Sequence, residues 1–176
     1  VAALAVSNRP CDIERDPLAQ GFTSQSFDLI LAANVLHATA DLPQTLKHIA
    51  SLTAAGGQLV LLEGTGPTRW LDLTFGMTKG WWRFTDAARG SYPLVSAARW
   101  QQLLATAGFS SATAISPLPE LDPAESESVV VVGQSQASAA QPGEPERRCL
   151  LIGNSDVSRD LADLLPTSNC ECHTID

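Results

Sequence analysis

The chain reads as an open α/β sheet, mostly parallel, with an antiparallel pair at one edge. Three observations predict this class. A strand-length apolar run, Phe27 to Val35, precedes an amphipathic helix and a second apolar run, Gln58 to Glu63. Such a strand–helix–strand unit closes as a right-handed parallel crossover. Two later runs, Phe109 to Ser116 and Ser128 to Gly133, flank the acidic, proline-containing stretch Pro117 to Glu127, which suits antiparallel pairing. A strand–turn–helix pattern then resumes at Cys149.

Each element has a local cause. Val1 to Val6 is apolar and fits strand or helix, and Cys11 to Asp16 reads as a strand end entering a polar loop. Phe27 to Val35 is nearly continuous in apolar residues, the pattern of a strand buried on both faces. Asp41 is a good N-cap for a helix running to about Leu52, with Leu42, Leu46, Ile49 and Leu52 as its apolar stripe. Ala54 to Gly57 is expected to end that helix, glycine supplying the left-handed cap. Gly64 to Pro93 is rich in Gly, Pro, Thr and aromatic residues, and reads as a lid or pocket wall. Its tryptophans are expected mainly to pack rather than to contact a ligand. Ser96 caps a further helix, with Trp100, Leu103 and Leu104 inward and Gly108 at its end.

Three units follow from composition. Residues 1–133 form the main α/β body, residues 134–147 a linker rich in Gln, Ser, Ala, Pro and Glu, and residues 148–176 the start of a second α/β unit with a helix over Val157 to Leu165. Val1 in place of a starting Met, and Asp176 beside a strand in formation, read as the borders of a piece of a longer polypeptide.

Bulk properties exclude several function classes. The 176 residues carry a formal charge of −8 and are 44% hydrophobic. An acidic balance argues against nucleic acid, which selects a basic footprint. Apolar runs stay well short of the roughly 20 residues that cross a bilayer. Four scattered cysteines do not make a disulfide framework, so a reduced, cytoplasmic setting is expected. The Cys170-Glu171-Cys172-His173 cluster lacks the second half of a zinc knuckle, and no metal site is assigned.

The functional expectation rests on His37 and Glu63. The first apolar run delivers His37 and the second delivers Glu63. In an open α/β sheet, reactive groups gather outside the carboxyl ends of the strands. Both side chains therefore belong to one crevice. Taken alone, His37 would more often be a satisfied histidine at a helix start, and Glu63 a plain strand end. His48, beside Lys47 in the helix, reads as a surface residue.

At DIERDPLAQGF, AANVLHAT, LTAAGGQLVLLEGT and RWLDLTFGMTKGWWRF the chain resembles the C-methyltransferase domain of modular type I polyketide synthases. The resemblance covers roughly Cys11 to Gly133, with the motifs in the family's order. It implies the C-terminal portion of a Rossmann-like class I methyltransferase sheet with an antiparallel last strand, truncated on its N-terminal side. It implies S-adenosylmethionine as cofactor and methylation of the α-carbon of a β-ketoacyl thioester. The partners it implies are an acyl carrier protein bearing that chain on phosphopantetheine, and neighbouring synthase domains. His37 and Glu63 match the family's catalytic pair. Asp12 and Ile13 match an adenine-contacting position, although Asp12 also fits an ordinary turn, and Ala33 and Asn34 lie at the strand end bordering the methionine moiety.

The family's Gly-rich first loop and its ribose-binding acid would lie upstream of Cys11, and Val1 to Arg9 departs from the family pattern. The segment by itself is accordingly expected to bind cofactor weakly. Arg147 to Leu165 resembles the opening of a ketoreductase structural subdomain; Gly153 is not followed by the G-x-G-x-x-G loop that cradles a pyrophosphate. Two other functions remain open at this point: a non-catalytic remnant between working domains, and a stand-alone small-molecule methyltransferase.

Overall fold

A computed structural model describes residues 5–8, 10–136, 147–152 and 170–175. Its strands are β1 (Ala5–Asn8), β2 (Phe27–Ala33), β3 (Thr53–Gly64), β4 (Phe109–Ile115), β5 (Ser128–Ser135), β6 (Arg147–Ile152) and β7 (Cys170–Ile175). They form one seven-stranded sheet in the order β1-β7-β6-β2-β3-β5-β4. Neighbours from β1 to β3 are parallel, and β5 runs antiparallel to both β3 and β4. The helices are α1 (Leu42–Leu52), α2 (Arg69–Thr74) and α3 (Ala97–Ala107), with short 3-10 turns at Leu36–Ala38, Phe75–Met77 and Lys79–Trp82.

Helix α1 starts where the Asp41 carboxylate accepts the Gln44 N–H at 2.9 Å. Pro43 in the first turn loses nothing, since N–H groups there have no intrahelical partner. Leu42, Leu46, Ile49 and Leu52 are all fully buried. Helix α3 begins at Ser96, whose hydroxyl accepts the Arg99 N–H, and ends at Gly108 with φ +107°, a conformation that costs glycine little. Trp100 and Leu104 are fully buried. Both helices pack on the sheet core with Ile30, Leu59, Leu61, Val129 and Val131.

Three expectations change form. Helix α1 ends at Leu52, and its cap is the extended Thr53, whose N–H and hydroxyl both bond to the Ile49 carbonyl. The glycines serve the strand instead. Pairing jumps from Phe27 opposite Thr53 to Leu29 opposite Gln58, so residues 54–57 bulge against Asp28 alone. Gly56 takes φ +77° there, and a Cβ on Gly57 would lie 3.0–3.1 Å from three carbonyl oxygens.

The strands of the segment expected to open a second unit are paired into the same sheet. Strand β6 lies parallel to β2, with Leu29 to Ala32 opposite Cys149 to Ile152. The physical reason is that β2 has a free edge between apolar faces, and Cys149 to Ile152 bring a fully apolar strand, at most 4% exposed, to fill it. Gln134 and Ser135, assigned to the linker, extend β5. The expected helix over 157–165 and the rest of the linker lie outside the described residues. The connection 64–93 carries α2 and two of the 3-10 turns.

Candidate functional site

The carboxyl ends of β2 and β3 open on a cavity of about 1570 Å³. Asn34, one residue past β2, takes φ +51°, and its N–H donates to the Leu62 carbonyl at 2.7 Å. Asparagine tolerates this left-handed conformation better than most residues. It turns the chain sharply into the 3-10 turn at Leu36–Ala38 that carries His37.

Glu63, next to last in β3, is fully buried. One carboxylate oxygen accepts the N–H groups of Val35 and Leu36, at 3.1 and 2.9 Å. The other lies 2.7 Å from His37 Nδ1. A carboxylate only accepts, so Nδ1 is the donor in this contact, and in the neutral ring Nε2 is the nitrogen with the lone pair. The His37 ring lines the cavity, with Trp81 edge-on to it at 5.5 Å between centroids. Among the described residues nothing hydrogen-bonds Nε2. The contact with Glu63 therefore fixes the orientation of a ring that lines the cavity.

Two more charged groups hold the same turn. The fully buried Arg89 guanidinium donates to the carbonyls of His37 (2.7 Å), Thr39 (2.6 Å) and Ala40 (3.0 Å). It pairs with Asp86, which also accepts the Leu42 N–H at 3.0 Å. Burial pushes the Asp86 carboxyl up, but the Arg89 hydrogen bond, the Leu42 N–H and the Arg89 charge outweigh it and hold it below the ordinary range. Glu14 accepts the Ala40 N–H and pairs with Arg83 across the cavity rim. Burial raises its carboxyl too, and the same kinds of partner bring it below the ordinary range. None of these four residues stands out in the sequence. The only signal is opposite charges three apart, Asp86 and Arg89, behind an aromatic run.

The other expected residues fall less evenly. Asp12, Ile13 and Asn34 line the cavity, and Ala33 is not among its lining residues. Asp12 is exposed, and its carboxylate accepts the Glu14 N–H at 3.1 Å, as in an ordinary turn. Ile13 is buried, and its carbonyl takes a hydrogen bond from His48 Nδ1 at 2.8 Å. His48 therefore ties the loop after β1 to α1 and is half-buried, not a plain surface residue. The aromatic connection is a pocket wall. Trp70, Phe75 and Trp81 line the cavity, and Phe75 stacks on Trp81 at 5.8 Å. Trp82 is exposed, with its indole N–H on the Gly76 carbonyl at 2.8 Å.

Residues 6–114 match the family model described as a methyltransferase domain. The chain belongs to this methyltransferase family. It is 46% identical over 109 residues to the hybrid PKS-NRPS synthetase lepA of Aspergillus flavus, covering 61% of this chain and 3% of that protein. The solved CurJ carbon methyltransferase is 45% identical, with a TM-score of 0.66 over 72% of this chain and 34% of that one. The trans-methyltransferase CalH, solved in complex with SAH, is 31% identical, with a TM-score of 0.64 over 72% of this chain and 35% of that one. The chain thus spans a small fraction of its polyketide synthase relatives and about a third of the solved methyltransferases. Among the described residues, no helix is long and apolar enough to cross a membrane. No group of three or more His, Cys, Asp or Glu that could hold a metal ion occurs among them.

Proposed function

We propose that this methyltransferase segment serves α-carbon methylation of a carrier-bound β-ketoacyl thioester in a polyketide synthase, with S-adenosylmethionine as methyl donor. The observation that carries the reading is the 2.7 Å contact between Nδ1 of His37, whose ring lines the cavity, and the buried Glu63 carboxylate, which leaves Nε2 available to a substrate. Support also comes from polyketide synthase relatives and from likeness to a solved carbon methyltransferase.

The cavity suits two reactants. Its volume of about 1570 Å³ exceeds the roughly 300–1,000 Å³ typical of a site for one small ligand. Asp12 and Ile13 on one wall and Asn34 at the β2 end are the groups that would hold the cofactor. Trp70, Phe75 and Trp81 offer an apolar wall for an acyl chain. When bound, S-adenosylmethionine supplies an electrophilic methyl group on a sulfonium.

The chain's own residues supply the base. A proton on carbon between two carbonyls is acidic enough for an imidazole to remove. His37 Nε2 takes it, and the ring becomes an imidazolium whose Nδ1–H already points at Glu63. The carboxylate fixes the tautomer beforehand and stabilises that cation afterwards. The buried Trp81, edge-on to the ring, shields it from water on one side, which strengthens the attraction. The acyl carrier protein delivers the chain on its phosphopantetheine arm, and neighbouring synthase domains make the β-ketone and process the product.

The test compares two carrier-bound substrates in the full-length protein, one β-ketoacyl and one saturated, with intact mass and fragmentation locating any added methyl. Methylation at the α-carbon of the β-ketoacyl chain alone is expected. A methyl on oxygen, or equal methylation of the saturated chain, contradicts the reading.

A further inference from the structure

We propose that Arg89 is a positioning residue for His37, holding the imidazole at its working distance from Glu63 through the backbone of the turn between them. The inference rests on the reading of His37 as the base.

The turn from Val35 to Ala40 has polar backbone groups on both sides, and each side meets one buried charge. Glu63 takes the N–H groups of Val35 and Leu36. Arg89 takes the carbonyls of His37, Thr39 and Ala40. The carbonyl of His37 is therefore gripped directly, at 2.7 Å, by the guanidinium. Asp86 fixes the guanidinium from behind, through both Nε and Nη2. The same carboxylate accepts the Leu42 N–H at the start of α1, so the fork is anchored to a packed helix. Phe84 closes the remaining side, its ring centroid 4.9 Å from the Arg89 guanidinium carbon.

This geometry needs a planar fork. A lysine ammonium keeps the charge beside Asp86, but it is a single centre and does not reach three carbonyls in the fixed spread that a guanidinium spans. Loss of the fork frees the His37 carbonyl while Glu63 stays in place, so the ring shifts relative to its partner and the cavity. Misplacement of a reacting group by about 1 Å lowers rates by about 10²-fold.

The experiment uses the full-length protein with Arg89→Lys, Arg89→Gln and His37→Ala in parallel. For each, methyl transfer to a β-ketoacyl carrier protein, cofactor dissociation constant, carrier KM and melting temperature are measured. Arg89→Lys is expected to melt lower than wild type but to stay folded at the assay temperature, and to leave cofactor affinity and KM within about 2-fold, while kcat falls by about 10–100-fold. Arg89→Gln is expected to lose kcat at least as far and to melt lower, because it leaves Asp86 buried without its partner. Should Arg89→Gln fail to fold, Arg89→Lys decides the question. Wild-type kcat in Arg89→Lys, or a loss matching only the unfolded fraction, overturns the positioning role. An inactive His37→Ala beside a fully active Arg89→Lys removes this proposal and leaves the base assignment standing. An active His37→Ala removes both.

Discussion

Glu63 reaches His37 from the next strand and commits both carboxylate oxygens to one turn: Oε2 meets Nδ1 at 2.7 Å while Oε1 accepts the N–H groups of Val35 and Leu36. The carboxylate thus sets both the backbone of the turn and the tautomer of the ring. Glu63→Gln separates those tasks. Its amide oxygen still accepts the two N–H groups, but its NH₂ then faces Nδ1 and favours the tautomer with the proton on Nε2. Turnover is expected to fall by about 10²–10⁴-fold with cofactor affinity unchanged. Calorimetry and carrier-product mass spectrometry check it, and near-wild-type turnover would mean that Glu63 only holds the backbone.

Asn34 offers a test of conformation against contact. With φ +51°, Asn34→Ala is expected to cost about 1–2 kcal/mol in stability, whereas Asn34→Gly costs close to nothing. If the side chain also touches the cofactor, as its place on the cavity wall implies, Asn34→Gly binds S-adenosylmethionine more weakly despite normal folding. Denaturation curves and calorimetry report the two effects separately. Equal stability of the Ala and Gly variants would remove the conformational argument.

The Asp86–Arg89 pair gives a pH signature. The Asp86 carboxyl sits below its ordinary value of 3.8: burial pushes it up, and Arg89 with the Leu42 N–H more than compensates. A carboxyl depressed in the folded state contributes its stability in full above the unfolded value and loses it as pH falls through the folded value. The stability gap between wild type and Asp86→Asn is therefore expected to stay flat from neutral pH down to about 3.8 and to close below it. Urea titrations at stepped pH measure the gap. Closure already near pH ~6 would point to a different titrating group.

Core packing under the site is tested by Leu46→Ala. Leu46 is fully buried in α1 among the sheet residues. Its truncation is expected to cost about 2–5 kcal/mol, read from chemical denaturation. A cost under about 1 kcal/mol would mean that α1 does not seal the core.

Most of the sheet and its helices was legible because the relevant signals are local. Asp41, Ser96 and Gly108 act at the positions that their chemistry favours, and the stripe from Leu42 to Leu52 is buried throughout. Ala54 to Gly57 misled because glycine marks any positive φ, in a cap or in a bulge, and only strand pairing distinguishes them. The pairing of β6 with β2 joins residues about 120 positions apart, which no local pattern encodes. In the site, the meeting of His37 with Glu63 was legible because one follows an apolar strand and the other lies at the end of the next. Arg89, Asp86 and Glu14 were not, since they act on backbone carbonyls and N–H groups, and those carry no sequence signature. Asp12 was legible in place only: it reaches the cavity but is exposed and engaged in its own turn.

The most direct measurement is methyl transfer to a β-ketoacyl carrier protein by His37→Ala in the full-length protein, run beside cofactor calorimetry and a melting curve. A base acts on the transition state, so turnover is expected to fall by about 10²–10⁴-fold while cofactor affinity and melting temperature stay near wild type. A histidine that merely packs would cost stability first and activity only in proportion. Full methylation by the variant, or parallel loss of activity and folding, would contradict the assignment of His37 as the base.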